Sequence, residues 1–82
     1  MYKIKIYVKL KKNVLDPQGK VIQQSANSIG YKDVVEVKQG KFFEIVIKNN
    51  SDPKKFAQKI AEDILANEVI EDYEIINIKK YE

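Results

Sequence analysis

The first ten residues alternate between apolar and polar side chains. Every second residue from Tyr2 to Leu10 is apolar, and most of the residues between them are lysine. Successive side chains of a β-strand point to opposite faces, so this period of two predicts a strand with one buried face. The predicted buried face consists of Tyr2, Ile4, Ile6, Val8 and Leu10.

Two Asp-Pro pairs predict the starts of two helices. Asp16 precedes Pro17 and Asp52 precedes Pro53. An Asp side chain accepts hydrogen bonds from the free N–H groups of a first helical turn, and Pro lacks the donor that would be unpaired there. Gly30 is predicted to end the first helix in the left-handed conformation, and Asn67 to end the second. The predicted buried stripes are Val21, Ile22, Ala26 and Ile29 in the first helix, and Phe56, Ala57, Ile60, Ala61, Ile64 and Leu65 in the second.

Three further segments are rich in β-branched and aromatic residues, which favour strands. Residues 34–38 and 42–48 are separated by a short connection that contains Gly40, so they are predicted to form a hairpin. Residues 73–80 predict a last strand, although Ile75 and Ile76 are adjacent and interrupt its alternation.

The predicted order is therefore strand, helix, strand, strand, helix, strand. This order predicts an α+β fold, a ferredoxin-like βαββαβ sandwich in which two helices cover one face of a four-stranded antiparallel sheet. Residues 1–82 are predicted to form a single domain. The open face of the sheet is predicted to show Lys3, Lys5, Tyr7, Lys9 and Glu44, together with either Phe42 or Val46.

The composition lacks most of the groups that enzymes use. The 82 residues include no His, Cys or Trp, and all 15 basic residues are lysine. Without imidazole or thiol, the commonest acid–base, nucleophilic and metal-binding chemistries are missing. We therefore expect no catalytic residue and no bound cofactor or metal, and a function that lies in binding. The absence of Cys and of a continuous apolar N-terminal run predicts a cytoplasmic protein without a membrane span.

Charge is distributed unevenly along the chain. Residues 1–41 contain nine Lys and three acidic residues, whereas residues 42–82 contain six Lys and nine acidic residues. Nucleic-acid binding is disfavoured because Lys lacks the planar fork with which Arg recognises phosphate and guanine. The acidic residues Glu68, Glu71, Asp72 and Glu74 have poor spacing for a calcium loop, so they are expected to balance the lysines of the first strand.

An RNA-recognition module shares this order of elements and stacks bases on aromatic residues of its sheet. Phe42 and Phe43 are adjacent and must point to opposite faces, which leaves one stacking ring where that module has two. A ligand-binding regulatory domain of the ferredoxin-like kind is the second alternative.

The segment from Asp16 to Gly19 is the strongest candidate for a functional site. A helix cap accounts for Asp16, Pro17 and Gln18, but not for Gly19, because Gly in a helix costs about 1 kcal/mol relative to Ala. Close approach of another backbone segment is a physical reason for Gly at this position.

Four stretches of the chain resemble one known family. They are residues 2–12 with their Lys-apolar alternation, residues 14–20 (VLDPQGK), residues 29–31 (IGY) followed by 37–42 (VKQGKF), and residues 65–73 (LANEVIEDY). Over essentially its whole length the chain is similar to the small subunit of the multi-protein phosphoribosylformylglycinamidine synthase, the PurS family.

This resemblance implies a noncatalytic subunit of an ATP-dependent carbon–nitrogen ligase that uses glutamine as amide donor in purine biosynthesis. In the family, a synthetase subunit uses ATP and Mg, a glutaminase subunit releases ammonia, and the small subunit assembles the two. The resemblance also implies a homodimer or homotetramer. It marks as partner-binding the residues Asp16, Pro17, Gln18, Gly19, Lys38, Gly40, Lys41 and Phe42.

Overall fold

The computed structural model of the protein describes residues 1–81, which form three β-strands and two α-helices. In chain order the elements are β1 (Tyr2–Leu10), α1 (Pro17–Ser28), β2 (Gly40–Ile47), α2 (Pro53–Ile60) and β3 (Glu71–Lys80). A π-helical turn, Ala61–Leu65, directly extends α2. Within residues 1–81, neither helix has the length and apolar composition needed to cross a bilayer.

The sheet has β1 at its centre, antiparallel to β2 on one side and to β3 on the other. Ile4 lies opposite Ile45 of β2 and Ile78 of β3. The pairing of β1 with β3 shifts by one residue between Lys5 and Ile6. This β-bulge leaves Ile76 as the extra residue, so the adjacent Ile75 and Ile76 are both accommodated, with Ile75 packed against the core.

The core lies between β1 and α2. Ile4, Ile6 and Val8 are at most 1% exposed, and Ala57 and Ala61 of the second helical segment are fully buried against them. These three β1 residues belong to the predicted buried face, which is thereby confirmed at the centre of the sheet. The alanines have side chains small enough for the helix backbone to lie close to the sheet.

The π-helical turn changes which residues of the second helix face the core. The backbone N–H of Ala66 donates to the carbonyl of Ala61 at 2.9 Å, a bond that spans five residues. The extra residue in this turn rotates the following side chains relative to an α-helix. Leu65 packs against the core, whereas Ile64 is 72% exposed, so the prediction that Ile64 is buried is wrong.

The prediction of a four-stranded sheet is also wrong. Within residues 1–81 the sheet has three strands, and residues 34–38 form no strand and no hairpin with β2. Each outer strand therefore keeps one edge without a partner in the described chain. The open face of the sheet carries both Phe42 and Val46, since their partners in β1 are Tyr7 and Lys3.

Helix α1 and the segment that follows it project from the sheet, and we call residues 17–39 the arm. Helix α1 makes almost no contact with the strands, so the prediction that both helices cover one sheet face is wrong. The chain measures 50 × 29 × 14 Å with a radius of gyration of 16.3 Å. A compact chain of this length has a radius of gyration of about 12 Å. Of the stripe predicted to be buried, Val21, Ile22 and Ile29 are exposed.

The chain reverses direction at the end of α1 and returns along the helix. Gly30 has φ +116°, and the N–H of Tyr31 donates to the carbonyl of Ala26 at 2.9 Å, which is the expected left-handed helix end. The side-chain amide of Asn27 then donates to the carbonyls of Tyr31 and Val34, at 2.9 and 3.1 Å. These bonds tie the returning segment to α1.

Candidate interaction site at the base of the arm

The two ends of the arm meet at the carboxylate of Asp16. Its Oδ1 accepts a hydrogen bond from the N–H of Gly19 at 2.9 Å, which caps α1 as predicted. Its Oδ2 accepts a hydrogen bond from the N–H of Gln39, also at 2.9 Å. One side chain therefore fixes both the start of the helix and the end of the returning segment. We call Asp16, Gly19, Val37 and Gln39 the junction.

Gly19 is the buried residue of α1 and lies against the returning backbone. A Cβ atom at this position would overlap the carbonyl oxygen of Val37 and lie 2.9 Å from Oδ2 of Asp16. The prediction that another backbone segment approaches Gly19 is confirmed. The absence of a side chain at residue 19 is what allows the arm to close at its base.

The hydrogen bonds of the junction also make it sensitive to acid. The N–H groups of Gln39 and Gly19 bind the charged carboxylate, and they hold the pKa of Asp16 below its ordinary value of 3.8. Because the pKa of Asp16 is lower in the folded chain than in the unfolded chain, ionised Asp16 stabilises the fold at pH values above its pKa in the unfolded chain. This contribution is lost as the pH falls through the folded pKa.

We therefore expect Asp16→Asn to lower the free energy of unfolding at pH 7 and to have a much smaller effect well below the ordinary pKa of Asp16. Urea unfolding at both pH values measures this difference. Asp52→Asn, at the cap of α2, is the control, because the carboxylate of Asp52 binds one N–H, that of Lys55, at the start of its own helix. A loss for Asp16→Asn that is equal at both pH values would contradict the role given to its charge.

Most of the residues predicted to bind partners gather around the junction. A cavity of about 240 Å³ is lined by Asp16, Pro17, Gln18, Gly40 and Lys41. Gly19 lies buried beside it, and Lys38 is next to Gln39 in the returning segment. The two predicted segments, far apart in the sequence, thus form one surface.

Phe42 is the exception among the predicted residues. It lies on the open face of the sheet, opposite Tyr7 of β1, and is 57% exposed. Phe43, its neighbour, packs against the core on the other face. The open face therefore carries one Phe ring of this pair, as the alternation predicted.

A larger cavity of about 510 Å³ lies beside the junction, between the end of β1, the start of α1 and the returning segment. We call it the cleft. Its lysines are Lys9, Lys11, Lys12, Lys20 and Lys38. Sequence reasoning selected Lys38 alone among these five. The excess of lysine over acidic residues in the first half of the chain was the available signal, but only the fold brings these side chains to one cavity.

Asp72 pairs with a lysine at the end of the predicted first strand, as expected, whereas Glu71 pairs with a lysine of β2 instead. Asp72 lies 3.7 Å from the ammonium group of Lys11, and Glu71 lies 3.7 Å from that of Lys41. Among residues 1–81, no group of three acidic side chains is placed to hold a metal ion. These pairs are partly exposed, so each contributes about 1 kcal/mol or less to stability.

Comparison with known proteins identifies the family. The profile of the family PurS, described as phosphoribosylformylglycinamidine (FGAM) synthase, matches residues 3–79. The PurS subunit of phosphoribosylformylglycinamidine synthase from Bacillus subtilis is 46% identical over 74 residues, which cover 89% of this chain and 88% of that protein.

Two solved structures extend this likeness to the fold. The crystal structure of PurS from Methanocaldococcus jannaschii, one of the subunits of formylglycinamide ribonucleotide amidotransferase, superposes with a TM-score of 0.86 at 40% identity and covers both chains fully. A chain in the structure of PurLQS from Thermotoga maritima superposes with a TM-score of 0.77 at 28% identity, over 95% of this chain and 94% of that one. From its sequence and its fold, the chain belongs to the PurS family of phosphoribosylformylglycinamidine synthase subunits.

Proposed function

We propose that this chain is the noncatalytic small subunit of phosphoribosylformylglycinamidine synthase in purine biosynthesis. In this role it joins an ATP-dependent synthetase subunit to a glutaminase subunit and supports the transfer of ammonia between them. The observation that carries the proposal is the family match over residues 3–79, together with the likeness to a chain of PurLQS. The ATP and Mg used by the complex belong to the synthetase subunit.

The chemistry of the chain supports a structural role. The sequence contains no His and no Cys, and the perturbed carboxylate of Asp16 is committed to two backbone N–H groups. Ammonia that escapes into water is protonated and lost as a nucleophile. A protein that holds the glutaminase and the synthetase in register raises the effective concentration of ammonia at the second site without any reactive group of its own.

The partner-binding residues in this proposal are those at the base of the arm, with Phe42 on the open sheet face. Residues 1–82 act as one unit in the cytoplasm. The chain also forms a homodimer or homotetramer, because α1 exposes an apolar stripe that includes Val21 (60%) and Ile29 (75%), and because both outer strands have an edge without a partner among residues 1–81.

Reconstitution of the enzyme tests the proposal. The synthetase and glutaminase subunits from the same organism are mixed with and without this chain, and amidine formation is measured with glutamine or with ammonium chloride as nitrogen source. Omitting the chain is expected to lower the glutamine-dependent rate by about 100-fold or more, because delivery of ammonia from a separate site then relies on free diffusion.

The ammonium-dependent rate at saturating ammonium serves as the control and is expected to stay within about twofold, because the chain supplies no group to the chemical step. Equal glutamine-dependent rates with and without the chain would reject the proposed function. A matching loss of both rates would show that the chain contributes to the synthetase reaction itself.

A further inference from the structure

The cleft beside the junction has an unbalanced charge. Five lysines line it, against three acidic residues, Asp16, Glu36 and Asp72. Each of these acids already has partners within the chain. Asp72 lies 3.7 Å from Lys11, Glu36 lies 3.6 Å from Lys38, and both oxygens of Asp16 accept backbone N–H groups.

The other three lysines of the cleft have no acidic partner within the described chain. Within residues 1–81, Lys9, Lys12 and Lys20 have no carboxylate oxygen within 4.0 Å, and all three are exposed. Like charges gathered around one concave surface raise the local positive potential and attract an acidic ligand. The cleft thus attracts anions, because the carboxylates of the described chain do not neutralise these three positive charges.

The residues that line the cleft favour an acidic peptide over a small anion such as phosphate. The N–H of Gly19 at the start of α1 is already bound by Asp16, so a carboxylate of the chain itself occupies the usual anion position at this helix end. The walls of the cleft also expose two large apolar side chains, Leu15 at 77% and Val35 at 84%. With a phosphate ion bound, these apolar side chains would stay exposed to water, whereas a bound peptide would cover them.

We propose that the cleft docks an acidic segment of a partner subunit of the synthase, in which carboxylates face Lys9, Lys12 and Lys20 and an apolar side chain packs between Leu15 and Val35. This inference rests on the proposed function and deepens it, since it assigns the chemistry of one contact. Three residues of the junction, Asp16, Val37 and Gln39, line one side of the cleft.

A charge-reversal pair tests the docking. Lys12→Glu/Lys20→Glu changes two exposed cleft lysines, and Lys54→Glu/Lys59→Glu makes the same change on the exposed side of α2, away from the cleft. Affinity of the full chain for the isolated synthetase and glutaminase subunits is measured at low and high salt. The cleft variant, Lys12→Glu/Lys20→Glu, is expected to bind one of the two subunits at least about tenfold more weakly than the wild type. The α2 variant, Lys54→Glu/Lys59→Glu, is expected to bind with an affinity within about twofold of the wild type.

The salt dependence of binding provides a second comparison of the same three proteins. Raising the ionic strength is expected to weaken binding by the wild type and the α2 variant, and to leave the residual binding of the cleft variant nearly unchanged. Thermal unfolding of each variant shows that the fold is intact. Equal loss in both variants, or no loss in the cleft variant, would overturn the inference.

Two further results would also reject the acidic segment. If millimolar inorganic phosphate displaces the partner as effectively as a peptide of alternating Glu and Leu, the cleft is a small-anion site. If sedimentation without partner subunits gives a different oligomer mass for the cleft variant than for the wild type, the cleft is a contact between copies of this chain. In each case reconstitution with the wild-type chain still decides the proposed function, so the two failures are distinguishable.

Discussion

A Gly19→Val variant is expected to lose about 3 kcal/mol of stability, because side chains forced into a closely packed site cost this much. Its Cβ would overlap the carbonyl oxygen of Val37, and a backbone carbonyl cannot rotate away as a flexible side chain can. The returning segment must then separate from α1, which breaks the bond between Gln39 and Asp16. Urea unfolding measures the loss, and faster hydrogen exchange at Gln39 locates it at the junction.

Gly19→Ala tests the same contact through the sign of its effect. Ala is a better helix former than Gly by about 1 kcal/mol, so an open position in α1 would gain stability from this change. The contact with Val37 predicts a net loss instead. Gln18→Ala is the matched control in the same helical turn, since Gln18 is exposed and is expected to change stability by about 0.5 kcal/mol or less. A Gly19→Ala variant as stable as Gln18→Ala would contradict the described junction.

Ile6→Ala is expected to have the second large effect, a loss of about 2–5 kcal/mol. Ile6 is fully buried at the centre of β1, in the cluster that includes Ala57 and Ala61 of the second helical segment. Both alanines are too small to fill the space that the missing methyl and methylene groups leave. A small domain has about 5–15 kcal/mol of stability in total, so this one change is expected to leave a measurable fraction unfolded.

Ile76→Ala is the control for this prediction, because it makes the identical chemical change in the neighbouring strand. Ile76 is the extra residue of the β-bulge and is 48% exposed. Its replacement is expected to cost about 1 kcal/mol or less, since part of the side chain is already in water. Chemical unfolding measures the free energy of unfolding of both variants. Equal losses would show that Ile6 is no more part of the core than Ile76.

Local signals in the sequence predicted the elements whose causes are local. Both Asp-Pro pairs cap helices, with Asp16 bound to the N–H of Gly19 and Asp52 to that of Lys55. The alternation in β1 identified the buried Ile4, Ile6 and Val8. In each case the pattern and its physical cause lie within a few residues of each other, so no knowledge of the tertiary fold is needed.

Apart from Ile64, whose exposure follows from the local π-helical turn, the errors concern contacts between distant segments. Residues 34–38 have the composition of a strand, but β-propensity reflects how side chains fit a pleated, half-buried surface and does not specify a partner strand. Asn27 binds the carbonyl of Val34 and Asp16 binds the N–H of Gln39, so this segment is used to return along α1. The same projection of the arm exposes Val21 and Ile29, which helical periodicity alone assigns to a core.

The candidate site could be predicted in part for the same reason. Gly19 stood out because a helix disfavours Gly, and the signal correctly indicated a backbone contact. Residues 16–19 lie close to residues 38–41 because of the path of the arm, and no local sequence pattern predicts this path. The lysines of the cleft come together through that path as well.

If this chain joins two larger proteins, the masses of their assemblies must depend on it. The synthetase and glutaminase subunits are mixed with and without the chain, in the presence of glutamine and Mg-ATP, and the species are weighed by analytical ultracentrifugation. We expect one complex that contains all three proteins when the chain is present, and separate subunits when it is omitted. A complex of synthetase and glutaminase that forms equally well without the chain would contradict it.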